Sequence, residues 1–270
     1  MNQQLTGVPE TLLIPLWARA VETEKEQPII RDPKAMEMVA RIDYDFSKFE
    51  KVWLSQLGVA IRTMLLDKET GNYLQLNPGA VVINLGAGLD TRAERFKDQV
   101  HCWYDLDLPE VIELRRQFFS EDERHKLIAA SAFDFSWLDQ VDCGDKPVLL
   151  LSEGMLMYFD EREVRKLFLE LAARLPGSEM LFEALAPLGV GRSKHHDAVS
   201  KMESAAEFKW GPKDCREVES WTSGIQYIEE WNYFDYHKDR WKWFGRIARL
   251  PLLKPKFSNR IVHVKFTLDS

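Results

Sequence analysis

The run Ala80-Val-Val-Ile-Asn-Leu85, followed at once by Gly86-Ala87-Gly88, constrains the fold of this chain more than any other segment. A short apolar stretch rich in β-branched residues reads as a strand buried on both faces, and such strands belong to parallel sheets covered by helices. Two glycines directly after it allow a tight turn and let a ligand come close to the backbone. The pattern recurs in Val100–Leu106, Lys126–Ala130, Val148–Leu151 and Met180–Leu185. Helix-compatible segments lie between: Asp90–Lys97 with Asp90 as candidate N-cap, Pro109–Phe119, and an apolar stripe from Val164 to Leu175 behind the capping box Asp160/Glu163. Strands alternating with helices imply βαβ units in an α/β sheet. Ile225–Phe234 and Ile261–Leu268 read as two later strands.

The front of the chain differs. Residues 9 to about 76 read mainly as helix, with Trp53, Leu57, Ile61, Met64 and Leu65 at helical spacing and breaks at Gly71-Asn72 and Asn77-Pro78-Gly79. Residues 1–76 are expected to form a helical cap of the same domain as a core over 77–270, with a charged, helix-compatible, lid-like insertion at about 187–224. The 270 residues, 45% of them hydrophobic, suffice for a core without disulfide or metal staples. A net charge of −7 excludes a global cationic field for nucleic acid or anionic lipid, while leaving room for a local basic patch. A small-molecule partner is therefore expected, without nucleic acid or membrane. Oligomeric state does not follow from the sequence. Three cysteines without a CxxC pair, and no metal-ligand spacing, point to a reducing cytoplasm and no metal site. The amino terminus lacks a secretory pattern, and no apolar run approaches the roughly 18 residues of a membrane span.

In open α/β sheets ligands bind beyond the carboxyl ends of the strands. Four features fall at such ends. Gly86 and Gly88 form a turn whose following helix offers free N–H groups; Thr91 stands where a dinucleotide fingerprint requires a third glycine. Asp107, about 20 residues on, suits a ribose acceptor or, with Glu110, a capping box; Asp105 faces the other way. Asp134-Phe135 suits an adenine amino group and ring, or a cap of the Ser136 turn. Glu153, at the mouth of a buried strand, demands a cationic partner: a ligand ammonium, Arg62 or Arg92.

Glycine turn, ribose acceptor, adenine acceptor and ammonium acceptor together describe a site for S-adenosylmethionine. Thr11-Leu-Leu-Ile-Pro-Leu-Trp-Ala-Arg19, Ile30-Arg-Asp-Pro-Lys-Ala35, Ile61-Arg-Thr63 with Asp67, Val82-Ile-Asn-Leu-Gly-Ala-Gly-Leu-Asp-Thr-Arg92, Trp103-Tyr-Asp-Leu-Asp-Leu-Pro109 and Glu153-Gly-Met-Leu-Met-Tyr158 resemble the leucine carboxyl methyltransferase family, and more closely its bacterial branch of tetracenomycin-type polyketide O-methyltransferases. The resemblance covers about residues 9–185. It implies a class I methyltransferase (Rossmann-like) sheet of about seven strands with an antiparallel last strand. It further implies that Arg62 pairs with the methionine carboxylate, that Gly86 and Gly88 form the cofactor turn, that Asp107 with Leu108 meets the ribose side, that Asp134 and Phe135 meet the adenine, and that Glu153 lies near the ammonium. Ser136 departs from the acidic residue that family members often carry there.

The expected activity is S-adenosylmethionine-dependent O-methylation of a carboxylate or hydroxyl on a small, polyketide-like molecule. Methylation of a protein C-terminal carboxylate, an NAD-dependent oxidoreductase and a non-catalytic cofactor-binding module are the alternatives; a Glu153 paired to arginine would favour the last. No catalytic residue is assigned. His195 and His196 lie in the lid-like insertion, in a charged segment that suits a solvated face better than a base. Arg19 and Tyr158 are expected at the substrate end. Trp221 and Trp231, in an aromatic-rich stretch, are expected to affect acceptor affinity more than cofactor affinity.

Overall fold

The computed structural model describes residues 10–192 and 207–267. A seven-stranded sheet forms its centre: β1 (Val81–Leu85), β2 (Cys102–Asp107), β3 (His125–Ala129), β4 (Val148–Ser152), β5 (Glu179–Ala184), β6 (Ile225–Asn232) and β7 (Arg260–Phe266). The spatial order is β3-β2-β1-β4-β5-β7-β6. β1 to β5 are parallel, and β7 enters antiparallel between β5 and β6. β1 and β4 are buried at every residue, as their unbroken apolar sequences require. The chain reverses its direction of travel across the sheet between β1 and β4, so a crevice opens beyond their carboxyl ends.

The front segment forms α1 (Leu13–Thr23), α2 (Pro33–Arg41) and α3 (Trp53–Leu76); α1 and α3 cover that end, and α2 packs on α1. α2 starts at Asp32-Pro33. The Asp32 carboxylate accepts from Ala35 N at 2.9 Å, and Pro33 occupies the first turn, where no N–H is needed. α3 runs through Gly71, which the sequence marks as a break, and stops only at Asn77-Pro78. A glycine inside a helix costs about 1 kcal/mol relative to alanine. The burial of Leu65, Leu66, Tyr73 and Leu74 on either side of it outweighs that cost.

Four shorter helices are α4 (Arg92–Phe96), α5 (Pro109–Arg115), α7 (Lys242–Ala248) and α8 (Lys254–Phe257); α6 (Glu161–Arg174) begins with the expected Asp160/Glu163 capping box. The N-cap of α4 is Thr91, not Asp90, although Asp90 Oδ1 accepts from Arg92 N at 3.0 Å. The N-cap of α5 is Leu108, so Asp107 makes no capping box with Glu110. Within the insertion, the described residues carry only two 3₁₀ turns, Pro187–Gly189 and Cys215–Ser220.

Candidate functional site

A cavity of about 620 Å³ lies over the carboxyl ends of β1, β2, β4 and β5, beneath α1 and α3. Of the residues expected at a cofactor site, Arg62, Gly86, Gly88, Asp107, Leu108 and Glu153 line it, as do Arg19 and Tyr158. Asp134 and Phe135 do not. The Asp134 side chain is exposed and accepts from Ser136 N at 3.2 Å, capping the Phe135–Gln140 turn. The chain bends away after β3, so Ser131, Ala132 and Phe133 reach the cavity instead.

Gly86 has φ +68°, and a Cβ there would lie 2.7 Å from Met155 Sδ; both the turn and the space demand glycine. The helix that follows offers less than expected. α4 is only five residues long, and its first N–H is taken by Asp90. The turn is held from elsewhere. Asp107 Oδ2 accepts from Gly88 N at 2.7 Å and Oδ1 from Leu108 N at 2.7 Å. Burial raises the Asp107 pKa above the ordinary value despite those two donors. Fully buried Arg115 donates through Nη1 to the carbonyls of Gly88 at 2.8 Å, Asp90 at 3.0 Å and Ala87 at 3.3 Å. Its Nη2 pairs with Asp105, which also accepts from Trp103 Nε1 and contacts His125 Nε2 at 2.7 Å. Asp105 thus points away from the cavity into the structure that carries the turn.

Beside the turn lies a chain of buried ion pairs. Glu153 accepts from Arg62 Nε at 2.8 Å and from Arg92 Nη2 at 2.9 Å. Arg62 Nη1 reaches Glu183 Oε2 at 2.8 Å, and Tyr233 donates to Glu183 Oε1 at 2.9 Å. Arg92 also pairs with Asp90 at 2.6 Å and Asp67 at 2.7 Å, and Asp67 binds Arg95. Burial alone would raise the Glu153 pKa, but Arg62 and Arg92 outweigh it and hold the carboxyl well below its usual range. Asp90 is raised: burial dominates there, Arg92 offsets it only in part, and the neighbouring Glu153 charge adds to the rise. Arg95 continues the chain to Asp32 at 3.8 Å and Asp32 to Arg19, so five carboxylates, Asp32, Asp67, Asp90, Glu153 and Glu183, share it with four guanidiniums, Arg19, Arg62, Arg92 and Arg95.

Arg19 is less a substrate group than a strut, donating to Asp32 at 2.8 Å and to Leu89 O at 2.7 Å, so that α1 is tied to the glycine turn. Tyr158 is pushed up to about 12, chiefly by burial. The far end of the cavity is aromatic and comes from the tail: Phe234, Trp241, Phe244 and Phe257. Trp221 and Trp231 are not in that wall. Trp221 packs on Phe168 at 5.4 Å in the core, and Trp231 stacks on His263 at 6.4 Å. His195 and His196 lie outside the described residues. Glu183 escaped the sequence reading although it carries the same signal as Glu153: a carboxylate at the carboxyl end of an apolar strand.

The strand order, the antiparallel β7 and the cavity at the β1/β4 switch define the class I, Rossmann-like methyltransferase fold. A solved S-adenosylmethionine-dependent methyltransferase from Anabaena variabilis shares this fold, with a TM-score of 0.54 at 12% identity over 82% of this chain and 94% of that one. A model of the leucine carboxyl methyltransferase family matches residues 13–172. The tetracenomycin polyketide synthesis O-methyltransferase TcmP of Streptomyces glaucescens is 34% identical over 97% of this chain and 98% of that protein. The S-adenosyl-L-methionine-dependent methyltransferase dpfgK of Gibberella zeae is 33% identical over 83% of this chain and 82% of its own length. The chain belongs to the leucine carboxyl methyltransferase family and is an S-adenosylmethionine-dependent methyltransferase. Family membership decides against the oxidoreductase and the non-catalytic module, even though Glu153 is paired to arginines.

Proposed function

We propose that the enzyme methylates an oxygen, carboxylate or hydroxyl, of a small polyketide-like acceptor in the cytoplasm. The observation that carries this reading is the continuity of one cavity from the charged strand rim to an aromatic wall. An aromatic-lined end suits a flat, apolar acceptor, and the similarity to TcmP over nearly the whole chain supports an O-linked product.

The rim residues fit the cofactor. Asp107 has a lone pair to spare on each oxygen for the ribose hydroxyls. Leu108 and Phe133 offer apolar walls to the base, a role that passes to Ser131–Phe133 from Asp134 and Phe135. Among the described residues Arg62 Nη2 has no hydrogen-bond partner and is available to the methionine carboxylate. Glu153 stands beside it for the ammonium. When bound, the cofactor supplies an electrophilic methyl group; the protein's part is approach, desolvation and in-line orientation. A carboxylate acceptor is ionised at neutral pH and needs no base. Tyr158, with its pKa near 12, stays protonated and serves as a hydrogen-bond donor toward the acceptor oxygen.

The test is a product assay with methyl-labelled cofactor and a panel of aromatic acids and phenols, followed by alkali treatment. Label released as methanol identifies an ester, and alkali-stable label an ether. Cofactor binding by equilibrium dialysis, with no label on any oxygen of the panel or of peptide C-termini, would overturn the proposal.

A further inference from the structure

We propose that the segment from Lys238 to Phe257, which roofs the aromatic end of the cavity, docks on an anionic lipid surface. In a chain of net charge −7, residues 238–256 hold seven Lys and Arg against a single carboxylate, Asp239. Arg240 is paired with Glu22 and Lys254 with Asp235. Lys238, Lys242, Arg246, Arg249 and Lys256 form no ion pair among the described residues. This is the local basic patch that overall charge leaves possible.

The patch is also apolar, which ordinary solvated surface is not. α7 presents three stripes. Trp241, Phe244, Gly245 and Ala248 face inward, and Trp241 and Phe244 line the cavity. Lys242, Arg246 and Arg249 recur at i, i+4 and i+7. Trp243, Ile247 and Leu250 recur at the same spacing one residue on, and they are 69%, 48% and 52% exposed. Leu252, beyond the helix, is 84% exposed, and Phe257 is 39% exposed. Large aliphatic side chains and a tryptophan, flanked by Lys and Arg, are the composition that rests at a lipid headgroup boundary.

Other occupants fit less well. A symmetric pairing of two copies through this face would set its cations against the same cations. A nucleic acid would meet the charge but leave Ile247, Leu250 and Leu252 in contact with phosphate and water. No helix among the described residues is long and apolar enough to cross a membrane, so the association is peripheral. Phe244 and Phe257 belong both to this face and to the cavity wall, so the docked surface lies directly against the aromatic end of the cavity.

The experiment is co-sedimentation of the full chain with vesicles of phosphatidylcholine alone and of phosphatidylcholine with one quarter phosphatidylglycerol. Binding is expected only to the anionic vesicles, weakening as salt rises. Each cation near an anionic leaflet contributes about a fivefold gain in affinity. Lys242→Glu/Arg246→Glu/Arg249→Glu should therefore weaken binding by roughly 100-fold or more. Trp243→Ser/Leu252→Ser, which keeps the charge, should weaken it about tenfold or more. Unchanged cofactor binding by both variants shows that they fold. No binding of the wild type to anionic vesicles overturns the proposal, as does binding untouched by either variant. So does a concentration-dependent dimer that both variants disperse.

Discussion

Gly86 and Arg115 show how single residues govern the cofactor turn. Gly86→Ala places a side chain at φ +68° and against Met155. A strained non-glycine residue costs on the order of 1–3 kcal/mol, so a fall in thermal midpoint is expected, together with weaker cofactor binding in dialysis. Adding Met155→Ala should remove the sulfur and Cγ contacts but keep the Cβ contact at 2.9 Å, so it should return only part of the loss, the more so because the backbone angle remains. Arg115 touches no ligand but fixes three carbonyls of the turn. Arg115→Lys keeps the charge on Asp105 and loses the fork, so cofactor KM should rise about 10-fold or more with kcat changed far less. Equal losses in kcat and KM would contradict a positioning role.

Among the elements, Glu22 ties the front helices to the tail of the chain. Glu22 on α1 is fully buried and accepts from Arg240 at 2.8 Å, Lys25 at 2.7 Å, Gln56 at 2.8 Å and Ile29 N at 2.8 Å. Burial pushes its pKa up, but these donors prevail and bring it from 4.5 to about 2. A depressed folded-state pKa gives stability that is complete above the unfolded value and is lost as pH falls toward the folded one. Glu22→Gln should therefore be less stable at neutral pH and should show a shallower loss between about pH 4.5 and 2, read from denaturant midpoints across that range. The elements legible in the sequence are those whose signal is local. β1 and β4 stand out because apolar β-branched or leucine runs meet a glycine or proline at each end, and Asp160/Glu163 because a capping box needs only four residues. α3 beyond Gly71 was hidden because tertiary burial, not propensity, sustains it. Asp134 stayed open between two roles because a carboxylate after a strand reads the same whether it meets a ligand or caps a turn, and only the course of the chain after β3 turns it to the cap. The aromatic wall was placed in the right stretch but on the wrong residues: Trp221 and Trp231 point into the core and the sheet face, while Phe244 and Trp241 reach the cavity.

At the scale of the molecule, the cavity joins a charged rim, with Arg62, Asp107, Glu153 and Glu183, to an apolar wall from the last third of the chain. That division predicts separable defects. Phe244→Ala should raise acceptor KM several-fold and leave cofactor affinity within about twofold, measured by steady-state kinetics and dialysis. Trp221→Ala should instead lower the thermal midpoint, since it removes a large, half-buried side chain from the Phe168 cluster, at a cost of about 1–3 kcal/mol. Arg62, between Glu153 and Glu183, couples β4 to β5 across the rim.

The placement of β7 has a bearing on biosynthesis. A nascent polypeptide that has emerged through β6 carries that strand with no neighbour to pair with, and the open flank of β5 remains bare as well, until the segment around Ile261–Phe266 leaves the ribosome and slots between the two. Premature termination in that interval would leave two adhesive edges and an unroofed chamber, so shortened products should be found in inclusion bodies rather than as weakly active enzyme.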